Sequence, residues 1–235
     1  MGSHKKFFFI DWDGTLVSSN SVLYIEHIRR YFLKHGSITQ KIVYPFVFIF
    51  LPFILFFHFL RKEKTRDALS YFLYLGLTKE EIYLASLDLW QKKGHYFNKN
   101  IYLDIKKELA SGEFSNVYIV SGSIDTIIEA AFDVFQIEFL KQNIHSTRLN
   151  YNKNKTSGTV ENGTFILGGQ KVRIIRNILN SEDLKKISII VYTDSSSDLP
   201  MLSICNYAKL INPDNLLKLK SQNHPWEIID ASQVC

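Results

Sequence analysis

The chain opens with an apolar run that changes abruptly to acidic residues. Residues 7–10 are all hydrophobic, and Asp11 and Asp13 follow them directly. A short apolar run of this kind is typical of a buried β-strand, and open α/β sheets carry their chemistry at the carboxyl ends of such strands. Both acids are therefore catalytic candidates, although a simple turn would also use them. A calcium loop of the EF-hand type is excluded, because Thr15 and Leu16 occupy the places of its fifth and sixth residues.

The next part of the chain has a helical pattern. The stretch "SVLYIEHIRRYFLKHG" has apolar residues at helical spacing and predicts a helix that ends at Gly36. Thr78 and Glu81 have the spacing of a capping box at the start of a later helix. We therefore expect residues 18–111 to be helical throughout.

Strands and helices alternate in the rest of the chain. The run "NVYIVSGS" predicts a strand that stops at Ser121, and a helix follows it. Short strands are predicted in "NIHSTRLNYN" and "TSGTVENGTFIL", and a basic amphipathic helix in "GGQKVRIIRNIL". A further apolar strand, residues 187–192, leads to Asp194, with Asp198 four residues later.

This order of elements predicts an α/β protein with a doubly wound, Rossmann-like parallel sheet. The long helical stretch after the first strand predicts an inserted, all-helical cap domain. We expect the catalytic core to comprise residues 1–17 and 112–235, and the cap to comprise residues 18–111.

Composition narrows the class of protein. The chain has 235 residues, of which 46% are hydrophobic, so it is long enough for one sizeable core and a small inserted domain. A formal charge of +5 suggests an anionic partner. We expect a phosphorylated substrate and no nucleic acid. The two cysteines, Cys205 and Cys235, suggest neither a disulfide framework nor a zinc site, and they favour a reducing, cytoplasmic setting.

The polar residues that follow the strands suit phosphoryl transfer. This reaction needs a nucleophile, a proton donor, donors for the phosphoryl oxygens and a hard cation. Asp11 is the candidate nucleophile, which would form an aspartyl-phosphate, and Asp13 is the candidate acid and base. Phosphate-binding candidates are Ser121, Gly122 and Lys171. Candidate ligands of a Mg²⁺ cofactor are Asp11, the backbone carbonyl of Asp13, and Asp194, with Asp198 in a supporting role.

Four ordered motifs resemble those of the haloacid dehalogenase superfamily of phosphatases. They are "DWDGTL", "IVSGS", "GGQK" and "YTDSSSDLPML". The resemblance is to subfamily IB, the phosphoserine phosphatase-like branch with a helical C1 cap, and it covers nearly the whole chain. It implies a phosphatase with a Mg²⁺ cofactor and the site residues given above. A P-loop is a weak alternative for "GTFILGGQK", because Gln170 stands where that motif needs lysine.

The sequence departs from the superfamily pattern at two positions. Thr193 stands where many members have glycine, and Trp12 is bulkier than the usual residue between the two acids. The assignment of Lys171 also has competitors, since Lys153 and Lys155 are alternatives for the phosphate-binding lysine.

An uncharged apolar segment, residues 42–60, is long enough to be considered membrane-spanning. A single crossing would place Asp11 and Asp194 on opposite sides of the membrane, so we expect a re-entrant or interfacial course. Pro45 and Pro52 favour a broken helix, and basic residues on both flanks favour an anionic membrane surface at the inner face of the cytoplasmic membrane. The alternative is a cap helix that is buried against its neighbours or in a dimer.

The apolar segment also bears on the substrate. Bacterial phosphatidylglycerophosphate phosphatases of the same branch are similar in carrying an apolar stretch after the first motif. The resemblance therefore implies a lipid phosphate such as phosphatidylglycerophosphate. A soluble, phosphoserine-like metabolite is the alternative, with Glu26, Arg29 and Arg30 available in the cap for a zwitterion. A non-catalytic, membrane-bound binding protein is a third possibility.

Overall fold

The structure is a computed structural model that describes residues 5–18, 21–38, 71–109 and 116–231, together with residues 41, 49, 52 and 56. Most of the apolar segment 42–60 lies outside the described residues. The strands are β1 (Lys5–Ile10), β2 (Val117–Ile124), β3 (Ile144–Thr147), β4 (Leu149–Asn152), β5 (Lys155–Val160), β6 (Ile187–Thr193), β7 (Tyr207–Ile211) and β8 (Glu227–Ile229). The α-helices are α1 (Ser21–His35), α2 (Lys79–Lys92), α3 (Lys99–Glu108), α4 (Asp125–Phe135), α5 (Gly169–Ile178), α6 (Leu199–Leu202) and α7 (Asn215–Ser221). Short 3-10 helices span Gly94–Tyr96, Lys141–Asn143 and Ser196–Asp198.

Six strands form the main sheet, in the order β3-β2-β1-β6-β7-β8. Every neighbouring pair in this sheet is parallel. The strand order runs in opposite directions on the two sides of the β1–β6 pair, which makes this pair the topological switch point. The fold class predicted from the sequence is confirmed, and β4 and β5 form a separate antiparallel hairpin.

Strand β1 is buried on both faces, as its continuous apolar run predicts. Phe7 and Phe9 pack on one side with residues of α5, α6 and α7. Phe8 and Ile10 pack on the other side, in the cluster that includes residues of α1, α2, α3 and α4. These two layers hold the end of β1, and hence Asp11, at the centre of the sheet.

The chain leaves the sheet after β1 and returns beside the same point. Val17 forms an antiparallel bridge with Phe97, and the Asn98 amide donates to the carbonyl of Leu16 at 2.9 Å. Helix α3 then lies against the sheet, because the Tyr192 hydroxyl and the Lys209 ammonium both donate to Asp104 Oδ2, at 3.0 and 2.7 Å. The division into a core and a cap spanning residues 18–111 stays a prediction.

Two predicted helix ends are confirmed. Helix α1 ends at His35, and Gly36 donates its amide to the Phe32 carbonyl at 2.8 Å. At the start of α2 the Thr78 hydroxyl accepts from the Glu81 amide, while the Glu81 carboxylate accepts from the Thr78 amide. Among the helices that the structure describes, none combines the length and hydrophobicity needed to cross a bilayer.

Three predictions about the elements were wrong. Strand β2 continues beyond Ser121 to Ile124, because a bulge accommodates two extra residues there. The stretch "TFIL", residues 164–167, is not a strand, because the hairpin ends at Val160 and Thr164 closes a turn with Glu161. Residues 73–76 form a turn within the stretch that was expected to be helical throughout.

Candidate active site

Asp11 lies directly beyond the end of β1 and is 8% exposed. Its amide continues the sheet by donating to the Tyr192 carbonyl on β6, at 2.9 Å. Its Oδ1 accepts the Trp12 amide at 2.8 Å. Trp12 is fully buried against Trp90 and Phe132, so it packs behind the site.

The turn after Asp11 brings the loop after β6 close to β1. Gly14 has φ +75°, and its amide donates to the Val17 carbonyl at 2.7 Å. A Cβ atom at Gly14 would lie 2.0 Å from Asp194 Oδ2, so only glycine lets the Asp194 carboxylate approach this closely. The Thr15 hydroxyl donates a long hydrogen bond to the same carboxylate, 3.5 Å from Asp194 Oδ1.

Lys171 joins the ends of two strands through its ammonium group. It lies in the first turn of α5, after Gly168, and is 3% exposed. The Nζ atom is 2.9 Å from Asp11 Oδ1 and 2.8 Å from Asp198 Oδ1, and Asp198 is fully buried. Lys153 and Lys155 lie instead at the turn of the β4–β5 hairpin. The structure therefore brings together Asp11, Lys171 and Asp198.

Burial controls the charges in this cluster. Loss of solvent raises the pKa of Asp11 well above its ordinary value, while the Lys171 ammonium acts against that rise. Burial likewise raises the pKa of Asp194 to about 7, and the negative charge of Asp198 adds to the effect. Burial acts to lower the pKa of Lys171, but the charges of Asp11 and Asp198 together raise it above its ordinary value, so the ammonium group stays charged. The site thus holds two buried carboxylates, Asp11 and Asp198, around one buried cation.

Asp13 is fixed by two hydroxyl groups. The Tyr24 hydroxyl of α1 donates to Asp13 Oδ1, and the Ser123 hydroxyl donates to Asp13 Oδ2. Ser123 lies in the bulge of β2, where Ser121 and Ile124 are paired with consecutive residues of β3. The Ser123 amide also donates to Ser121 Oγ at 3.0 Å, so the predicted phosphate-binding serine is adjacent to the predicted acid.

Gly122 is held in the same bulge by contacts on both sides. Its carbonyl accepts the Tyr71 hydroxyl at 2.8 Å. A Cβ atom at Gly122 would lie 3.1 Å from the Ile166 carbonyl oxygen, so a larger residue would crowd that loop. These neighbours restrict the backbone of Gly122, whose amide is predicted to bind phosphate.

One family of known proteins matches most of the chain. A family model described as haloacid dehalogenase-like hydrolase matches residues 8–203, which include all the predicted site residues. The chain belongs to this family.

Individual relatives of this haloacid dehalogenase-like hydrolase are distant. Phosphoserine phosphatase SerB1 of Mycobacterium tuberculosis is 35% identical over 68 residues, which is 29% of this chain and only 22% of that protein. A Bordetella pertussis Tohama I protein of unknown function has a TM-score of 0.75 at 15% identity, covering 97% of this chain and 100% of its own. A substrate-bound phosphoserine phosphatase has a TM-score of 0.59 at 17% identity, covering 97% and 94%. These two structures support the fold.

Several residues of the site were not identified from the sequence of this hydrolase. Thr193, noted only as a departure, donates its hydroxyl to Asp198 Oδ2 at 2.6 Å. Asp214 accepts the Ser196 amide at 2.7 Å and donates its own amide to the Asp194 carbonyl at 3.0 Å. Ser123 was part of the quoted "IVSGS" motif without a role, and Tyr24 carried no signal beyond its place on a predicted helix.

The donor atoms of the hydrolase site fit a hard cation. Mg²⁺ prefers oxygen ligands and keeps several waters. Asp11 is buried and Asp194 is partly buried, and the two carboxylates are close enough that the charge on Asp194 raises the pKa of Asp11. The Asp13 side chain is engaged by Tyr24 and Ser123, which leaves its backbone carbonyl as the predicted ligand. Within the described ranges, no three acidic, histidine or cysteine side chains converge as a metal cluster.

Proposed function

We propose that this haloacid dehalogenase-like hydrolase is a Mg²⁺-dependent phosphomonoesterase that acts through an aspartyl-phosphate on Asp11. The observation that carries the proposal is the contact of Lys171 with both Asp11 and Asp198 at the switch point of the sheet. A lysine in that position binds a phosphoryl group presented to Asp11 and keeps the carboxyl group oriented. A non-catalytic binding protein would not need this buried arrangement.

In the first half of the reaction, an oxygen of the Asp11 carboxylate attacks phosphorus. The bond between phosphorus and the ester oxygen breaks, and Asp13 transfers its proton to the departing oxygen. The phosphoryl oxygens bind Lys171, the Ser121 hydroxyl and the Gly122 amide. The products of this step are the free alcohol and phosphorylated Asp11.

In the second half, water hydrolyses the aspartyl-phosphate. Asp13 accepts a proton from the water as the water oxygen attacks phosphorus, and the bond to the Asp11 oxygen breaks. Inorganic phosphate leaves, and Asp13 is protonated again for the next cycle.

We assign Asp11, the Asp13 carbonyl and Asp194 as the Mg²⁺ ligands, with Asp198 in support. The bound cation would offset the negative charge of the carboxylates and of the phosphoryl group. Asp214 holds the loop that carries Asp194, through its bonds to the Ser196 amide and the Asp194 carbonyl.

A lipid phosphate, such as phosphatidylglycerophosphate, is our first proposal for the substrate. The support is the apolar segment 42–60, whose composition and basic flanks suit contact with acyl chains and an anionic membrane surface. Two of its few described residues, Ile49 and Phe56, are 60% and 55% exposed. This segment would bring the enzyme to the inner face of the cytoplasmic membrane.

A soluble, phosphoserine-like ester is the second candidate. It is favoured by the similarity to a protein named phosphoserine phosphatase and by the fold shared with solved phosphoserine phosphatases. In this case the segment 42–60 would belong to the interior of a cap that closes over a small substrate.

The deciding experiment measures phosphate release with Mg²⁺ from phosphatidylglycerophosphate in mixed micelles, from phosphoserine and from a panel of soluble esters. The Asp11→Asn protein serves as the blank. Preference for the lipid supports the first candidate, and preference for a soluble ester supports the second. Equal release by wild type and Asp11→Asn would overturn the phosphatase proposal.

A separate experiment tests the membrane partner. Wild type is expected to sediment with anionic liposomes, and the triple change Phe53→Ser, Phe56→Ser, Phe57→Ser is expected to abolish sedimentation. Unchanged sedimentation of the variant would show that segment 42–60 does not bind the membrane.

A further inference from the structure

The carboxylate of Asp13 is held from two different parts of the molecule. Tyr24 belongs to α1, which follows the first motif, and its hydroxyl donates to Oδ1. Ser123 belongs to the bulge of β2, and its hydroxyl donates to Oδ2. Each carboxylate oxygen therefore has its own hydroxyl partner.

The positions of both hydroxyl groups are determined by packing. Tyr24 is 2% exposed, and its ring meets the Trp90 ring edge-on at 5.6 Å. Trp90 is in turn fixed by its indole N–H, which donates to the Ile127 carbonyl of α4 at 2.9 Å. Ser123 is buried, and the hydrogen bond that its backbone amide donates to Ser121 Oγ fixes its backbone. Two hydroxyl groups placed in this way restrict rotation of the Asp13 carboxyl group.

We propose that Tyr24 and Ser123 are positioning residues that orient Asp13 for proton transfer to the departing oxygen. This inference rests on the proposed role of Asp13 as the acid. A carboxyl group already held in its working orientation needs no rearrangement when the ester bond breaks. Because Tyr24 lies on α1, the orientation of the acid also depends on the packing of that helix against α2.

The contribution of a general acid depends on the leaving group. A strongly basic alkoxide needs a proton as it departs, whereas a weakly basic phenolate leaves without one. Loss of a positioning hydroxyl should therefore slow reactions of basic leaving groups much more than reactions of acidic ones. A purely structural role would slow all of them by the same factor.

The experiment compares the full-length wild type with Tyr24→Phe in the presence of Mg²⁺. The rate of aspartyl-phosphate formation is measured in single turnovers with p-nitrophenyl phosphate, phenyl phosphate and an alkyl phosphate. For Tyr24→Phe we expect the alkyl rate to fall at least about tenfold and the p-nitrophenyl rate to fall less than about twofold.

Tyr31→Phe is the matched control, since it removes the same hydroxyl from the same helix. Tyr31 lies about two turns beyond Tyr24 on α1, and its ring is edge-on to Phe32 and tilted against His35. We expect wild-type rates for all three substrates. Ser123→Ala removes the second donor and should give the same substrate-dependent loss as Tyr24→Phe. If circular dichroism shows that Tyr24→Phe does not fold, Ser123→Ala is used in its place.

The outcomes separate this inference from the proposed function. If wild type hydrolyses the esters but the variants lose rate equally for all leaving groups, or lose none, the positioning role is overturned and the phosphatase stands. If wild type forms no phosphoenzyme and hydrolyses no ester, both proposals fall. A selective loss for the alkyl ester in Tyr24→Phe and Ser123→Ala supports the inference.

Discussion

The ammonium group of Lys171 lies 2.9 Å from Oδ1 of Asp11, so the start of α5 is tied to the end of β1. Asp198 completes the contact on the other side of the ammonium group. All three groups are buried, which means that each charge depends on its partners rather than on water. The same contact stabilises the fold and, in the proposed mechanism, takes part in the chemistry.

Replacing Lys171 with methionine should destabilise the protein strongly. The change leaves two buried carboxylates without their cation, and breaking a buried ion pair in this way typically costs about 3–5 kcal/mol. Lys79→Met is the control, because Lys79 is an exposed lysine with acidic neighbours at 3.4 and 3.8 Å, and such pairs contribute at most about 1 kcal/mol. The free energy of unfolding in urea is the measurement. An equal decrease in the free energy of unfolding of the two variants would show that the buried contact stabilises the protein no more than the exposed pairs do.

Two glycines with similar positive φ angles allow a matched test of the Asp194 contact. Gly14 has φ +75° and Gly76 has φ +80°, but a Cβ atom at Gly14 would overlap the Asp194 carboxylate, whereas one at Gly76 would meet nothing within 4 Å. Both alanine variants should lose about 1 kcal/mol to backbone strain. Only Gly14→Ala should also lose phosphatase activity, by on the order of a hundredfold, because a 1 Å displacement can have that effect. Similar activity in both variants would contradict the assignment of Asp194.

His27 should make the protein less stable in mild acid. Burial lowers the pKa of His27 below its ordinary value of 6.5, although the bonded Asp88 partly opposes the shift, while Lys92 and Lys93 reinforce it. As the pH falls below 6.5, the unfolded chain therefore takes up a proton before the folded protein does, and the free energy of unfolding decreases.

The variant His27→Gln should lose this part of the pH dependence. The measurement is the urea midpoint of wild type and variant between pH 7.5 and pH 5, which covers the window below the ordinary histidine pKa of about 6.5. The wild-type midpoint should fall more than that of the variant on acidification. Parallel pH profiles would show that His27 does not contribute.

The sequence indicates the candidate carboxylates because each follows an apolar strand whose end must lie at the switch point, and their catalytic roles stay predictions. Asp11, Asp13 and Asp194 are of this kind. Lys171 was harder to identify, since it lies on a helix and its selection over Lys153 and Lys155 depended on the order of motifs. In the structure, Lys171 is the one of these three in contact with Asp11.

The contacts of Asp13 could not be predicted by local patterns. Ser123 lies 110 residues away from Asp13 in sequence, and its direction depends on a bulge that no apolar periodicity reveals. In the sequence pattern, Tyr24 is only one apolar position of an amphipathic helix. The same bulge explains why the end of β2 was placed too early. The role of segment 42–60 stays a prediction.

The central step of the proposed mechanism is the phosphorylation of Asp11. The measurement is peptide mass spectrometry of protein quenched in acid during turnover of p-nitrophenyl phosphate with Mg²⁺, using the Asp13→Asn variant to slow hydrolysis of the intermediate. We predict one added phosphoryl group on the peptide that contains Asp11, and none in the Asp11→Asn, Asp13→Asn double variant. Turnover without this modification, or modification at another residue, would contradict the account.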